Sequence, residues 1–275
     1  MAEPPPLLAA DIGNHQIKFG LFPTESEWGL PQPAQVWRLP TSNADFEPLA
    51  AALPAESLAW HVATVHRQAE RRLADWVQHR RPQDGYRLLR NDALPLEIHV
   101  EHPQHVGADR LLAAVAVNHL RAANRPAIVV DAGTAITVDL VSADGAFEGG
   151  VILPGFRLTA QSLAEGTDLL PHVDHDPAAD PPPVVGKSTA AAIRSGLFWG
   201  QVGAVRELTQ RIAGELASPP QLFVAGGDAE RLAAFLPQAR VVPELVLAGI
   251  ALCARGSSIR PSGKTAEVPA RTEVG

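Results

Sequence analysis

Apolar and polar residues alternate along the chain as short strand-like runs separated by longer helical patterns. The apolar runs 7–12 and 17–22 flank a Gly-Asn pair, which predicts a β-hairpin. The runs 136–141 and 146–153 flank an Asp-Gly pair and predict a second hairpin. Continuous or alternating apolar character also predicts strands at 58–65, 127–130 and 222–225.

Helical spacing of apolar residues separates these strands. Apolar side chains three or four positions apart predict helices at 68–79, 109–120, 188–216 and 244–253. The segment 188–216 is long enough for one helix or two. Strands that alternate with helices and also form hairpins indicate an α/β or α+β protein.

A weak internal repeat suggests that the chain contains two domains of similar plan. A strand, Asp11-Ile-Gly-Asn and a hairpin recur 120 residues later as a strand, Asp131-Ala-Gly-Thr and a hairpin. We expect Asp174 to Pro183, which is rich in proline, to be a loop. The expected organisation is a flexible leader at 1–6, domains at 7–118 and 119–255, and a disordered tail at 256–275.

Composition narrows the classes of protein that remain. The chain has 275 residues, is 46% hydrophobic, and carries a formal net charge of −7, which argues against nucleic-acid and membrane-surface binding. One cysteine excludes an internal disulfide framework and a cysteine-based zinc site. No apolar run suits a membrane span, and no signal peptide is visible, so we expect a cytoplasmic protein.

The two repeated turns are the first candidates for chemistry. Each aspartate ends a buried strand, glycine permits a tight turn, and the next residues offer N–H and hydroxyl donors. Such turns can hold phosphate oxygens, and an aspartate can hold hydrated Mg²⁺. Taken singly, an ordinary hairpin with an Asx-turn explains each one. Gly186-Lys187-Ser188-Thr189 imitates only the end of a P-loop, so that motif is not predicted.

The tetrapeptide Gly107-Ala108-Asp109-Arg110 opens a predicted helix with adjacent opposite charges. One interpretation makes the aspartate a first-turn or N-cap residue. The other pairs a general base with an arginine that binds a carboxylate. We expect the arginine to lower the pKa of the neighbouring aspartate, which would then be ionised at pH 7. His99, His102 and His105 match no established ligand spacing and are not predicted to bind a metal.

These motifs, in this order, resemble the type III pantothenate kinases of the acetate and sugar kinase/Hsp70/actin superfamily. The resemblance extends from about residue 7 to 253 and is carried by five segments, namely Asp11–Lys18, Gly107–Arg110, Asp131–Thr137, Gly149–Gly155, and Gly186–Thr189 with Ser195-Gly196. It implies an α/β fold of two ribonuclease-H-like, actin-like ATPase domains with an ATP cleft between them. It also implies a homodimer that phosphorylates pantothenate in the first step of coenzyme A synthesis.

The resemblance further implies a role for each matching residue. Asp109 would be the general base, and Asp131 would hold a monovalent cation, potassium or ammonium. Pantothenate would contact Val100, Gly107, Ala108, Asp109, Arg110 and, at the dimer interface, Thr189. ATP with Mg²⁺ would contact Thr134 and the first loop, which comprises Asp11, Ile12, Gly13, Asn14, His15, Gln16, Ile17 and Lys18.

Two positions depart from the family pattern. His15 replaces the usual threonine or serine, and Val100 stands where an aromatic residue, commonly tyrosine, is usual. Two other functions are therefore kept as hypotheses. One is a catalytically weak or inactive paralogue that acts as a nucleotide-binding regulatory or accessory protein. The other is a kinase of a related hydroxy acid.

Overall fold

The first half of the chain folds around a five-stranded mixed sheet. The computed structural model describes residues 4–23 and 29–256. The order in this sheet is β3-β2-β1-β4-β5, with β1 parallel to β4 and antiparallel to β2. These strands are β1 (Leu7–Ile12), β2 (Gln16–Phe22), β3 (Gln35–Pro40), β4 (Ala59–Thr64) and β5 (Gly85–Leu88).

The second half of the chain repeats this plan. The order in the second sheet is β10-β9-β6-β7-β8, with β6 parallel to β9 and antiparallel to β7. These strands are β6 (Ala127–Ala132), β7 (Ala135–Val141), β8 (Phe147–Pro154), β9 (Gln221–Ala225) and β10 (Arg240–Val241). Both sheets thus place their first strand at the centre, between a hairpin partner and a parallel strand. This duplicated α/β topology confirms the predicted fold class.

Helices cover the sheets in three layers. The seven helices of the described chain are α1 (Glu47–Ala52), α2 (Arg67–Arg80), α3 (Ala108–Leu120), α4 (Phe156–Glu165), α5 (Thr189–Gly214), α6 (Ala229–Ala233) and α7 (Leu245–Ala254). Helices α1 and α2 pack with Phe19 and Trp60 on the outer face of the first sheet. Helices α4, α5 and α6 contribute Phe156, Phe198 and Leu232 to the core on the outer face of the second sheet. Helices α3 and α7 lie between the two sheets, in a core that contains apolar residues of both.

The contact between α3 and α7 is unusually close because of a glycine. A Cβ placed on Gly249 would lie 2.1 Å from the carbonyl oxygen of Leu112. The α7 backbone therefore rests directly on the α3 backbone. This contact fixes α3, whose first turn carries Asp109, against strands from both sheets.

Most of the long elements agree with the sequence predictions. Both hairpins are confirmed, and the predicted segment 188–216 contains the single helix α5 (Thr189–Gly214) rather than two helices. The short or half-exposed elements β3, β5, β10, α1 and α6 were not predicted, because they offer few apolar positions from which to detect a period.

Some predictions about organisation remain open. Asp174 to Pro183 contains no helix or strand, as expected of a loop. The domain boundaries stay a prediction. Helix α7 follows the second sheet along the chain, but it packs against β1, β2 and β4 of the first sheet. The predicted leader lies partly, and the predicted tail almost wholly, outside the described residues. Within those residues, no helix has the length and apolar character needed to cross a membrane.

The helix contact can be tested by adding one methyl group. We expect Gly249→Ala to lower the free energy of unfolding by about 1–3 kcal/mol, because the new Cβ would overlap the Leu112 carbonyl. The matched control is Gly214→Ala at the end of α5, where a Cβ meets nothing within 4 Å. The control should be neutral or slightly stabilising. Urea denaturation of both variants measures the difference, and equal stabilities would contradict the close packing.

Candidate active site

The first aspartate turn joins β1 to β2 at the end of the central strand. Asp11 lies opposite Lys18 in the antiparallel register. The turn is closed by the Gly13 N–H, which donates to the Gln16 carbonyl at 3.0 Å. It is also held from outside, since the Thr41 hydroxyl donates to the Gly13 carbonyl at 2.9 Å. The residues from Asp11 to Lys18 therefore form one braced loop.

The second aspartate turn repeats this arrangement between β6 and β7. The Gly133 N–H donates to the Ala135 carbonyl at 3.0 Å, and the Gly13 N–H of the first turn donates to the Gln16 carbonyl at the same distance. Gly226 lies against Asp131 with φ of +95°, and a Cβ there would sit 2.5 Å from Asp131 Oδ1. Glycine is thus required after β9 for its backbone conformation and for this close approach.

The two turns face each other across a narrow cleft. His15 Nδ1 of the first turn lies 3.1 Å from the Thr134 hydroxyl oxygen of the second, within hydrogen-bonding distance. Asp11, Lys18, Asp131 and Gly226 line the cleft, together with Glu244, which precedes α7. The repeat seen in the sequence is therefore a pair of opposed loops.

Asp109 lies in the first turn of α3, with Gly107 as the helix N-cap residue. Asp109 Oδ1 accepts a hydrogen bond from the Arg110 backbone N–H at 2.8 Å. A Cβ on Gly107 would lie 2.4 Å from the same oxygen, so glycine makes room for the carboxylate. Asp109 therefore lies in the first turn of the helix, as the structural interpretation of the tetrapeptide predicts. A residue at this position can also act as a base.

Burial dominates the electrostatics of the three aspartates. Desolvation raises the pKa of Asp11 to about 7, although nearby Lys18 lowers it. The pKa values of Asp131 and Asp109 are also raised by burial, and Lys18 again opposes the change. Arg110 does act to lower the pKa of Asp109, as expected, but loss of hydration on burial outweighs it, and the net pKa is raised.

Arg110 lies beside Asp109 but turns toward the second sheet. Its guanidinium is paired with the buried carboxylate of Asp139 on β7. It also lies over the ring of Phe147 on β8, 5.4 Å from the centroid. Val100 borders the same region, 3.4 Å from where a Cβ on Gly149 would be. The structure therefore places Val100 and Arg110 on one wall, near β8.

Thr189 is the predicted site residue that this chain does not bring to the cleft. It is exposed at the start of α5, where the Ser188 hydroxyl caps the helix by accepting from the Ala191 N–H at 3.2 Å. Among the described residues, no hydrogen bond joins Thr189 to the N-terminal turn of α3 at 107–110.

Sequence reasoning missed two acidic residues of the site. Asp139 was detectable as a charged residue among the apolar positions of a predicted strand. The sequence around Glu244 contains no motif that would mark it as a site residue. The packing of α7 against the first sheet brings it to the cleft. One of its oxygens pairs with Arg38, and the other is buried without a hydrogen-bond partner among the described residues.

The histidine-rich segment forms no metal cluster within the described residues. His99 contacts Glu148 at 2.9 Å, and the rings of His102 and His105 pack against each other. Within the described residues, the cleft likewise contains no group of three or more histidine, cysteine or carboxylate side chains placed to hold a metal ion. A cation bound there would need ligands from a substrate as well.

Comparison with solved structures agrees with the fold. A Campylobacter jejuni structure described as a Baf family transcriptional activator has a TM-score of 0.58 at 18% identity and covers 90% of this chain and 98% of its own. A Sinorhizobium meliloti structure described as a 2-dehydro-3-deoxygalactonokinase has a TM-score of 0.56 at 17% identity, covering 95% and 99%. At such identities these similarities establish architecture alone.

Sequence comparison is more specific. The family described as type III pantothenate kinase matches residues 7–211. A protein of that name from Alkalilimnicola ehrlichii is 35% identical over 92% of this chain and 99% of its own. One from Ruegeria sp. is 44% identical over 49% of this chain and 50% of its own, so that alignment spans half of each protein.

Together with these sequence matches, the duplicated sheets and opposed aspartate loops define a kinase with a duplicated α/β fold. Within that class, the match over 7–211 and the relative aligned along nearly its whole length are decisive. The chain belongs to the type III pantothenate kinase family.

The bridge between the two loops can be tested by a double-mutant cycle. Loss of one neutral hydrogen bond costs about 0.5–1.5 kcal/mol, so His15→Ala should raise the KM for ATP about 2–12-fold. Thr134→Val should have a similar effect. The double variant should be no worse than either single one, because both remove the same contact. Fully additive losses would show that the two side chains act independently.

Proposed function

We propose that this protein transfers the γ-phosphoryl group of ATP to the hydroxyl of pantothenate, giving 4'-phosphopantothenate, with Asp109 as the general base. The observation that carries the proposal is the meeting of two aspartate turns and one lysine in a cleft beside Asp109. Phosphoryl transfer chiefly needs aligned reactants and neutralised charge, which opposed loops of N–H and hydroxyl donors supply.

The cleft suits a triphosphate with Mg²⁺ because its own charges are unbalanced. Among the described residues, Asp11, Asp131 and Glu244 line it with Lys18, while Arg38 pairs with one Glu244 oxygen and the other is buried without a partner. In the proposal, the first loop from Asp11 to Lys18 and Thr134 of the second hold the phosphates. Bound Mg²⁺ would neutralise charge on the transferred group. Asp131 would hold potassium or ammonium.

Asp109 is placed to accept the proton of the attacking hydroxyl. The hydroxyl oxygen forms a bond to the γ-phosphorus, the bond to the bridging oxygen breaks, and ADP leaves. The hydroxyl proton passes to the carboxylate of Asp109. Burial raises the pKa of this carboxylate, which makes it a stronger base while it is ionised.

The substrate would lie along the N-terminal turn of α3 at 107–110, with its carboxylate near Arg110 and its acyl chain near Val100. The aliphatic Val100 side chain gives an apolar wall without a ring. A kinase of a related hydroxy acid would use the same arginine with a differently shaped wall. The regulatory alternative has no specific support, since the transcriptional description belongs to a structure that resembles this chain in fold alone.

A homodimer is part of the proposal, and α5 would supply its interface. Gly196, Gly200 and Gly203 are exposed on one side of this helix, and a Cβ on any of them would meet nothing within 4 Å. Large apolar side chains are also exposed on β8, α4 and the loop before α5, namely Ile152, Leu158, Leu169, Val184 and Val185. Exposed apolar side chains and small helix residues suit contact with a second copy, whose Thr189 would complete the pantothenate site.

The general base can be tested by one isosteric change. We expect Asp109→Asn to lower kcat about 10²–10⁴-fold while the Kd for ATP, measured by calorimetry, stays within about 2-fold. The wild-type pH profile should fall on the acid side above the ordinary aspartate pKa of about 3.9, because burial raises the pKa values of Asp109, Asp11 and Asp131. Activity therefore increases with pH through these raised pKa values.

The matched control is Asp75→Asn, an exposed carboxylate on α2. It should leave kcat, ATP affinity and the pH profile unchanged. Near-normal turnover by Asp109→Asn would eliminate Asp109 as the base.

Omission of potassium and ammonium should reduce wild-type turnover, and insensitivity to both would contradict the monovalent-cation site.

The proposed interface can be tested by sedimentation equilibrium. We expect the wild-type protein to sediment at twice the mass of one chain. Gly200→Glu should sediment as a monomer, because it puts a bulky charge on the glycine face without disturbing the fold of one chain. Arg71→Glu, at an exposed position of α2 on the first sheet, is the control and should remain dimeric. A monomeric wild-type protein would contradict the proposal.

A further inference from the structure

Arg110 is held by a carboxylate that neither its sequence motif nor its neighbours along the chain would reveal. Asp139 on β7 receives hydrogen bonds from Arg110 Nε at 3.0 Å to Oδ1 and 3.1 Å to Oδ2. Arg110 Nη2 also donates to Oδ1. The contact is a two-nitrogen fork, which fixes the plane of the guanidinium as well as its position.

The pocket around this pair is built to hold it. The Asp139 side chain is only 3% exposed. Gly150 on β8 faces it, and a Cβ there would lie 2.4 Å from Asp139 Oδ1 and 2.3 Å from the Val138 carbonyl. Phe147 supports the guanidinium from the ring side. The glycine is therefore needed for the carboxylate to reach the arginine.

The pairing leaves part of the guanidinium available. A guanidinium carries five N–H donors, and its Nε and Nη2 edge faces Asp139. The Arg110 side chain donates no other hydrogen bond within the part of the chain that the structure describes. Its Nη1 group makes no hydrogen bond within those residues, and Arg110 directly follows Asp109, beside which the substrate would lie.

We propose that Asp139 is a positioning residue that presents Arg110 Nη1 to the carboxylate of the substrate and so makes the enzyme select an acid. This inference rests on the proposed function, because it assumes that a hydroxy acid binds beside the N-terminal turn of α3 at 107–110. An unrestrained arginine would lose rotamer freedom on binding, whereas the arginine held by Asp139 has already lost it. The preference for an acid therefore comes from an arginine that is already fixed before the substrate binds.

A merely structural role is the competing explanation, and the chain contains a matched control for it. Arg81 and Asp84 form another buried pair, at 2.5 Å, with side chains 8% and 0% exposed. That pair ties the end of α2 to the loop before β5 and touches no residue of the cleft. Asp84→Asn should lower thermal stability without altering any KM.

The test compares pantothenate with its primary amide, in which a neutral amide of similar size replaces the charged carboxylate. We expect Asp139→Asn to raise the KM for pantothenate at least about 10-fold, with the KM values for the amide and ATP within about 2-fold. The preference for acid over amide should fall by the same factor. Arg110→Gln should abolish that preference, and the double variant should lose nothing more.

Asp139→Glu keeps the charge if the asparagine variant proves too unstable to assay. Its longer side chain displaces the guanidinium, so we expect a KM for pantothenate between those of the wild type and Asp139→Asn. Equal changes in the KM values for acid, amide and ATP would overturn the positioning role. An acid preference that survives in the Asp139 variants but not in Arg110→Gln would also overturn it. Absence of wild-type turnover with pantothenate would instead overturn the proposed function, and this inference with it.

Discussion

Three carboxylates share one lysine inside the cleft, and the rest of the structure serves to keep them there. Asp11, Asp109 and Asp131 each lose hydration, which raises their pKa values, and Lys18 opposes the change at all three. Buried charges of one sign repel one another and are costly to desolvate. Such a group persists only where the backbone fixes its members, and it attracts cations and the phosphates that accompany them.

The duplicated fold provides that fixation. Each sheet ends its central strand in an aspartate and a tight glycine turn, so that two copies of one plan present two similar loops. Helix α3 enters between the sheets and adds the third carboxylate, while α7 holds α3 through the contact at Gly249. Ligands bind at the carboxyl ends of strands in α/β folds for the same geometrical reason.

The sequence was most informative where local chemistry repeats. The two aspartate turns and the tetrapeptide at 107–110 were identified from residue order alone, because each needs glycine beside a carboxylate. Glu244 and the pairing of Arg110 with Asp139 could not be identified, since they depend on contacts between distant segments. The pKa of Asp109 shows the same limit: the neighbouring arginine is visible in the sequence, but the depth of burial that outweighs it is not.

The central claim is that this cleft joins a phosphoryl group to the hydroxyl of pantothenate. The most direct measurement is ³¹P NMR of the purified protein with ATP, Mg²⁺, potassium and pantothenate. The account predicts that the γ-phosphate signal is replaced by a phosphomonoester resonance coupled to the hydroxymethyl protons of the product, in step with ADP. Formation of ADP with free phosphate, or no consumption of ATP by protein that binds it, would contradict the account.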